Sequence, residues 1–453
     1  MSARIDAASC AYTGSSRVGS ILSSISPPFA LILFAIEQWR QSVPAISPRY
    51  TPRVNTTARG SAWEVARAFL TLGVTSFGGP VAHLGFFRTE FVDRRRWLDD
   101  RAYADLVALC QFLPGPASSQ VGFAIGLLRA GPLGALAAFL AFTLPSAVLM
   151  VAFAFGAALF EGPVGAGILE GLKIVAVAIV AQAVWGMART LAPDPTRAAI
   201  AAGAAGIALL AASASGQLIA IALGAVVGLL LCRPRSASAP AALRVPVSRA
   251  AGIASLAAFV ALLIALPLVA VATSAPAAAL ADAFYRAGAL VFGGGHVVLP
   301  LLEAEVVATG WVTAPEFLAG YGAAQAMPGP LFTFAAFLGA ASGNGAGGLL
   351  GAVIALVAIF LPGFLLLIAA LPFWGALRAS TNGQGLMNGA NAAVVGILAA
   401  ALYDPVFTTA ITGAGSFTVA LGCFVLLVAW KLPPWAVVLV GAAAGVVLEL
   451  AGI

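Results

Sequence analysis

Charge is what this chain has least of. Asp, Glu, Lys and Arg make up 9% of its 453 residues, where a soluble domain carries about 25%. Only two lysines (Lys173, Lys431) and two histidines (His83, His296) occur, so no His-carboxylate cluster suggests a metal site. The four cysteines (Cys10, Cys110, Cys232, Cys423) are scattered, three of them in apolar segments. They form neither metal-ligand spacing nor a disulfide framework. HExxH, GxSxG and GxxxxGK[ST] are all missing, which argues against zinc peptidase, serine hydrolase and nucleotide hydrolase chemistry. No cofactor is called for, and an enzyme is not expected. A transport cycle here would have to draw on ion gradients or membrane potential.

What is present is apolar surface and glycine. The chain is 61% hydrophobic with 50 glycines and a mean hydropathy of +1.02. Windows such as Leu133–Leu159 and Gly345–Leu371 are almost free of charge and long enough to cross ~30 Å of hydrocarbon. The expected partner is a lipid bilayer, and the protein a polytopic one of the cell inner membrane. The net charge of +6 comes mostly from arginine. It reads as positive cytoplasmic loops rather than as a nucleic-acid surface.

One block occurs twice, about 215 residues apart. Ser76-Phe77-Gly78-Gly79-Pro80 returns as Val291-Phe292-Gly293-Gly294-Gly295, and Gln111-Phe112-Leu113-Pro114-Gly115-Pro116 as Gln325-Ala326-Met327-Pro328-Gly329-Pro330. Glu90 pairs with Glu305, Trp97 with Trp311, and Leu144-Pro145 with Leu361-Pro362. The implied organisation is a mobile cytoplasmic tail (1–60, whose start codon is open to question), a first repeat (61–232), a linker (233–249), an unpaired helix (250–272) and a second repeat (273–453). Six apolar elements plus one unpaired helix turn the second repeat over relative to the first.

Loop charges point the same way. The loop after the first Gly-Gly turn carries Arg88, Arg94, Arg95, Arg96 and Arg101, whereas 297–320 has no Lys or Arg. Equivalent loops of opposite charge lie on opposite sides of a membrane. Arginines both before and after 63–87 favour that segment dipping in and returning, and 103–129 doing likewise. The count is then nine full spans with four re-entrant or broken elements, against thirteen if every element crosses. The expected fold class is an all-α polytopic membrane protein of two inverted-topology repeats with broken or re-entrant helices.

Pro-Gly-Pro cannot continue a helix, and the backbone groups it frees at membrane depth require protein or water. A half-helix restarting at Ala117-Ser118-Ser119 would aim N–H groups and a partial positive charge at the break, an arrangement that suits an anion. The alternative is a simple kink capped by Ser118 and Ser119. The candidate substrate-binding set is Gly78, Gly79, Pro114, Gly115, Pro116, Ser118, Ser119, Lys173, Gly293, Gly294, Gln325, Pro328, Gly329, Pro330 and Asn391. Gln111, Gln120 and Thr333 flank the breaks as further donors. Lys173 is either the counter-charge for an anionic substrate or, with Glu170 close by, a cation reaching an interface; Asn391 is its approximate repeat mate. His83, Glu90, His296 and Glu305 are candidates for ion coupling, weighed against structural placement.

At these positions the chain resembles the chromate ion transporter family, long two-repeat type. The resemblance rests on Phe77-Gly78-Gly79-Pro80, Trp97, Gln111, Pro114-Gly115-Pro116 and the Gly131–Pro145 stretch, and it covers about residues 62–435. It implies export of chromate from the cytoplasm, with sulfate as the close analogue, so the expected ligand is a chromate or sulfate-like dianion. Single-repeat members of that family are thought to work in pairs, which leaves a homodimer open. The second copy departs from the pattern at Gly295 and Leu331, which implies unequal halves. An oxyanion importer and an anion channel remain alternatives.

Overall fold

A computed structural model describes residues 60–156, 162–211, 214–233, 247–292 and 295–452, and every regular element among them is helical. The expected tail and most of the linker lie outside the described residues. The first repeat comprises α1 (Ala62–Thr75), α2 (Gly79–Arg88), α3 (Asp100–Phe112), α4 (Ala117–Gly156), α5 (Gly162–Leu191), α6 (Pro195–Leu210) and α7 (Ala214–Leu231). Helix α8 (Arg249–Thr273) lies between the two repeats. The second repeat comprises α9 (Pro276–Leu290), α10 (Val298–Val306), α11 (Ala314–Ala326), α12 (Phe334–Ala341), α13 (Gly348–Ala370), α14 (Trp374–Ala379), α15 (Thr381–Ala401), α16 (Ala414–Val428) and α17 (Pro434–Ala451).

Local chemistry sets the boundaries. Asp99 caps α3 by accepting from the Ala102 N–H at 2.7 Å. At the equivalent place in the second repeat, Thr313 and Glu316 form a capping box that starts α11. Within α4 the helical path breaks at Ala130 and Gly131, where Gly131 takes φ +66°. The arms 117–129 and 132–156 fold back on each other with Gly126 against Gly134, so close that a Cβ on either would strike the other's carbonyl. Gly339 and Gly351 repeat this contact between α12 and α13.

The ends of these arms reveal the topology. Arg129 closes the 117–129 arm and pairs with Glu64 of α1 at 3.1 Å, while its guanidinium lies 5.1 Å over Trp97. The start of α1, the turn after α2 and the end of this arm therefore share one face. Both α1–α2 and α3–(117–129) enter and leave by the side that carries the arginines. In the second repeat the Gly343 N–H donates to Trp311 O (2.8 Å) and Asn344 Nδ2 to Pro276 O (3.2 Å). Its two hairpins close by the same geometry.

Six described helices are long and apolar enough to cross a membrane, and α6, α7, 331–341 (which includes α12) and α16 are shorter apolar ones. If 132–156, α5 to α8, α13, α15, α16 and α17 each cross once, five crossings precede the second repeat and four follow, an odd separation that inverts one repeat relative to the other. Lipid-facing stripes such as Leu133, Leu136, Leu140, Leu144 and Val148 on one side of a single helix are exposed, as a bilayer-embedded surface requires.

The repeats are interlocked as well as inverted. Helix α5 packs on α16 and α17 of the second repeat, and α15 packs on α6 and α7 of the first. Both crossings use small-residue faces. Gly167 and Gly171 meet Gly441 and Gly445, and Gly224 and Gly228 meet Gly385 and Gly389, with backbones too close to admit a Cβ.

Candidate functional site

The four re-entrant tips converge between the repeats. Helix α3 ends at Leu113 in extended conformation, and Gly115 follows with φ +119°. Its N–H donates across the repeats to Val291 O at 2.7 Å. The symmetric bond runs from the Gly329 N–H (φ +95°) to Ser76 O at 2.9 Å. Val291 and Ser76 are themselves repeat equivalents, so each break is tied to the tip of the other copy. The remaining tips also touch, for a Cβ at Gly295 would lie 3.0 Å from Pro80 Cγ. That gives the second copy a steric reason to carry glycine where the first carries proline.

The proline-bearing long helices complete the centre. Gln120 Nε2 donates to Pro114 O (3.0 Å) and to Gly363 O (2.9 Å), just after Pro362 of α13. In the other copy Thr333 Oγ1 donates to Pro330 O (2.8 Å), which leaves Ser146 Oγ as donor to Thr333 Oγ1 (2.7 Å). Ser146 follows Pro145 just as Gly363 follows Pro362. The sequence flagged these proline pairs without assigning them to the site, and the missing signal was which loop they face.

This pattern of bonds has an electrostatic consequence. Helix ends at the centre bring carbonyls as well as N–H groups, and the two would partly cancel. Here the carbonyls of Ser76, Val291, Pro114, Pro330 and Gly363 are already engaged. First-turn N–H groups of a helix have no intrahelical acceptor, and neither the N-cap of α2 (Gly78) nor that of the 331–333 turn (Pro330) uses a side-chain cap. Donors are left over, and an anion suits them. Buried hydroxyls of Ser76, Ser119 and Thr143 have no hydrogen-bond partner, and neither has Gln325 Nε2; Gln120 Oε1, also unpartnered, can only accept. Hydroxyls can rotate to donate, so unused capacity gathers around the breaks.

The other sequence candidates fall in different places. Pro116 and Pro328 form the breaks, and Ser118 is buried in the first turn of α4. Gly79 opens α2 with φ +77°. Gly293 and Gly294 lie outside the described residues. Lys173 is the twelfth residue of α5 and is ion-paired with Glu170 one turn before it. Asn391 holds the equivalent place on α15, its Oδ1 buried without a partner. His83 is buried edge-on against Phe142 at 5.3 Å between ring centres, and His296 Nδ1 lies 2.7 Å from Tyr321 Oη. Glu90 accepts from Arg94 and Arg95, both at 2.6 Å, on the arginine-bearing face. Glu305 pairs with Arg286 at 3.0 Å, and Arg286 also reaches Asp282. Both carboxylates are thus held in ion pairs with arginines of their own repeat.

Inverted repeats, six helices long and apolar enough to span a membrane, and broken helices meeting between the copies define a multi-pass α-helical membrane transporter. The model of the chromate transporter family matches residues 63–229 and 278–446, one match to each repeat. The chain belongs to the chromate transporter family. It is 32% identical over 376 residues to the chromate transport protein of Pseudomonas aeruginosa, covering 80% of this chain and 86% of that protein. It is 28% identical over 414 residues to the probable chromate transport protein of Synechococcus elongatus, covering 85% and 95%. The chromate transport protein of Cupriavidus metallidurans is 26% identical over 362 residues, covering 77% and 85%. No solved structure matches.

Proposed function

We propose that this protein is a secondary transporter that exports chromate from the cytoplasm through the site where its four re-entrant tips meet. The observation that carries the reading is that the carbonyls at the tips and breaks are already engaged, some across the repeats and some within them, which leaves N–H and hydroxyl donors for a tetrahedral dianion. Membership in the family and the names of the relatives support chromate as the substrate. Sulfate shares its charge and shape, and these donors treat the two alike.

Export is the direction that electrostatics favours. Moving a dianion out across an inside-negative potential gains about 4.6 kcal/mol per 100 mV, at about 2.3 per charge. Inverted repeats support alternating access, since exchanging the conformations of the two copies exchanges the open side. The swapped α5–α17 and α15–α7 contacts form the frame against which the hairpins move. Lys173, neutralised by Glu170 in this state, becomes a counter-charge only if that pair opens.

The test is chromate uptake into everted membrane vesicles, wild type beside Lys173→Ala, with sulfate as competitor. Saturable uptake above that of empty vesicles supports export. Linear, potential-driven flux without saturation would favour a channel, and no uptake would remove chromate as substrate. Uptake that persists in Lys173→Ala would exclude the lysine from the site.

A further inference from the structure

Away from the central site, an open cleft of about 520 Å³ lies on the arginine-bearing face, lined by Ser61, Trp63, Glu64, Arg67, Thr71, Glu90, Arg94 and Arg95. Its charge is unbalanced. Glu64 is engaged by Arg129, and Glu90 alone faces both Arg94 and Arg95. Arg67 has no ion-pair partner among the described residues. We propose that this cleft binds the headgroup of an acidic phospholipid of the cytoplasmic leaflet.

The surroundings distinguish a lipid from a free anion. Arg67 stands on the outer face of α1 in one helical stripe with Trp63, Leu70 and Val74, which are 77%, 50% and 47% exposed. Spacings of three and four residues place these side chains on one line along the helix. An acyl chain can therefore lie along Leu70 and Val74 while the phosphate reaches Arg67, Arg94 and Arg95. Trp63 at the rim is the residue type that favours the headgroup level. The hydroxyls of Thr71 and Thr75 on this face donate back to the carbonyls of Arg67 (3.1 Å) and Thr71 (2.7 Å), so they ask nothing of water.

The inverted copy supplies an internal contrast. Asp282, Arg286 and Glu305 occupy the positions of Arg67, Thr71 and Glu90 there, and they close into an ion triad. Thr309 and Gly310 replace Arg94 and Arg95. Of the two equivalent places among the described residues, the unpaired cation therefore stands on the face that meets anionic lipid, where each basic residue near the surface contributes about 1 kcal/mol.

The full-length protein in neutral detergent is titrated with short-chain phosphatidylglycerol, phosphatidylcholine or sodium sulfate, and the thermal unfolding midpoint is read. Phosphatidylglycerol should raise the midpoint of the wild type above the other two. Arg67→Gln, which breaks no ion pair, should lose at least half of that rise; Arg67→Lys should keep most of it, and Lys431→Gln all of it. Equal shifts from both lipids overturn the proposal, as does a full response in Arg67→Gln. A sulfate shift that equals the phosphatidylglycerol shift and needs Arg67 would make the cleft a vestibule for free anions and likewise overturn it.

Discussion

Replacing Gly115 by alanine should damage this protein more than any similar change at a left-handed glycine on its surface. Two separate effects act at this position. With φ at +119°, any L-residue carries backbone strain of about 1–3 kcal/mol. The new Cβ would also lie 2.9 Å from Gly363 Cα and 3.0 Å from Gln120 Nε2. Gln120 must then withdraw from Pro114 O and Gly363 O, leaving two buried carbonyls short of a donor at about 1 kcal/mol each. The total is about 3–5 kcal/mol. Gly310→Ala provides the comparison, since φ there is +75° and nothing lies within 4 Å of its Cβ, so it should cost only about 1 kcal/mol of strain. Unfolding both variants in mixed detergent micelles, with chromate flux measured in parallel, checks the difference. If Gly115→Ala proves no less stable than Gly310→Ala and transports normally, the cross-repeat contact at the break has no energetic weight and the reasoning is refuted.

Further outcomes follow from the same geometry. A double-mutant cycle of Ser146→Ala and Thr333→Val should return a coupling of about 0.6 kcal/mol, the usual value for an interhelical hydrogen bond in a membrane; zero coupling would mean that the bond does not join the repeats. Gly389→Leu should abolish folding or halve the yield of inserted protein, because its side chain must enter the backbone of Gly224 and Gly228, and unchanged expression and stability would contradict the swapped packing. Cysteines placed at Arg96 and at Thr309 should be labelled from opposite sides of sealed vesicles; labelling from one side would contradict the inversion. Glu170→Gln alone should impair the protein more than Glu170→Gln combined with Lys173→Met, since the single change leaves a half-buried ammonium unpaired, and expression with flux reports the order.

Much of this architecture could be read in the residues because membranes make the rules strict. Doubled Pro-Gly-Pro and Gly-Gly turns, five arginines facing an arginine-free equivalent loop, and one unmatched helix led to inverted repeats with re-entrant elements. The interlocking could not be read this way. Gly167, Gly171, Gly441 and Gly445 are visible as small-residue motifs, but sequence does not say which helix each meets, and here every partner lies in the other repeat. The same limit hid the roles of Ser146 and Gly363, which reach the breaks from 187 and 243 residues away in the chain. Lys173 shows the opposite case. Its place in an apolar helix was evident, yet Glu170, one turn away, already satisfies its charge in this state.

The central claim is that the oxyanion rests among the converging tips, and cysteine protection tests it most directly. Ser119→Cys places a thiol where a buried hydroxyl now lacks a partner. Labelling by a small charged thiol reagent is followed with and without an oxyanion already shown to compete with chromate uptake. The account predicts that the oxyanion slows labelling of Ser119→Cys and leaves that of a cysteine at the exposed Leu210 unchanged. Labelling of a transport-competent Ser119→Cys at the same rate with and without the oxyanion would place the substrate elsewhere.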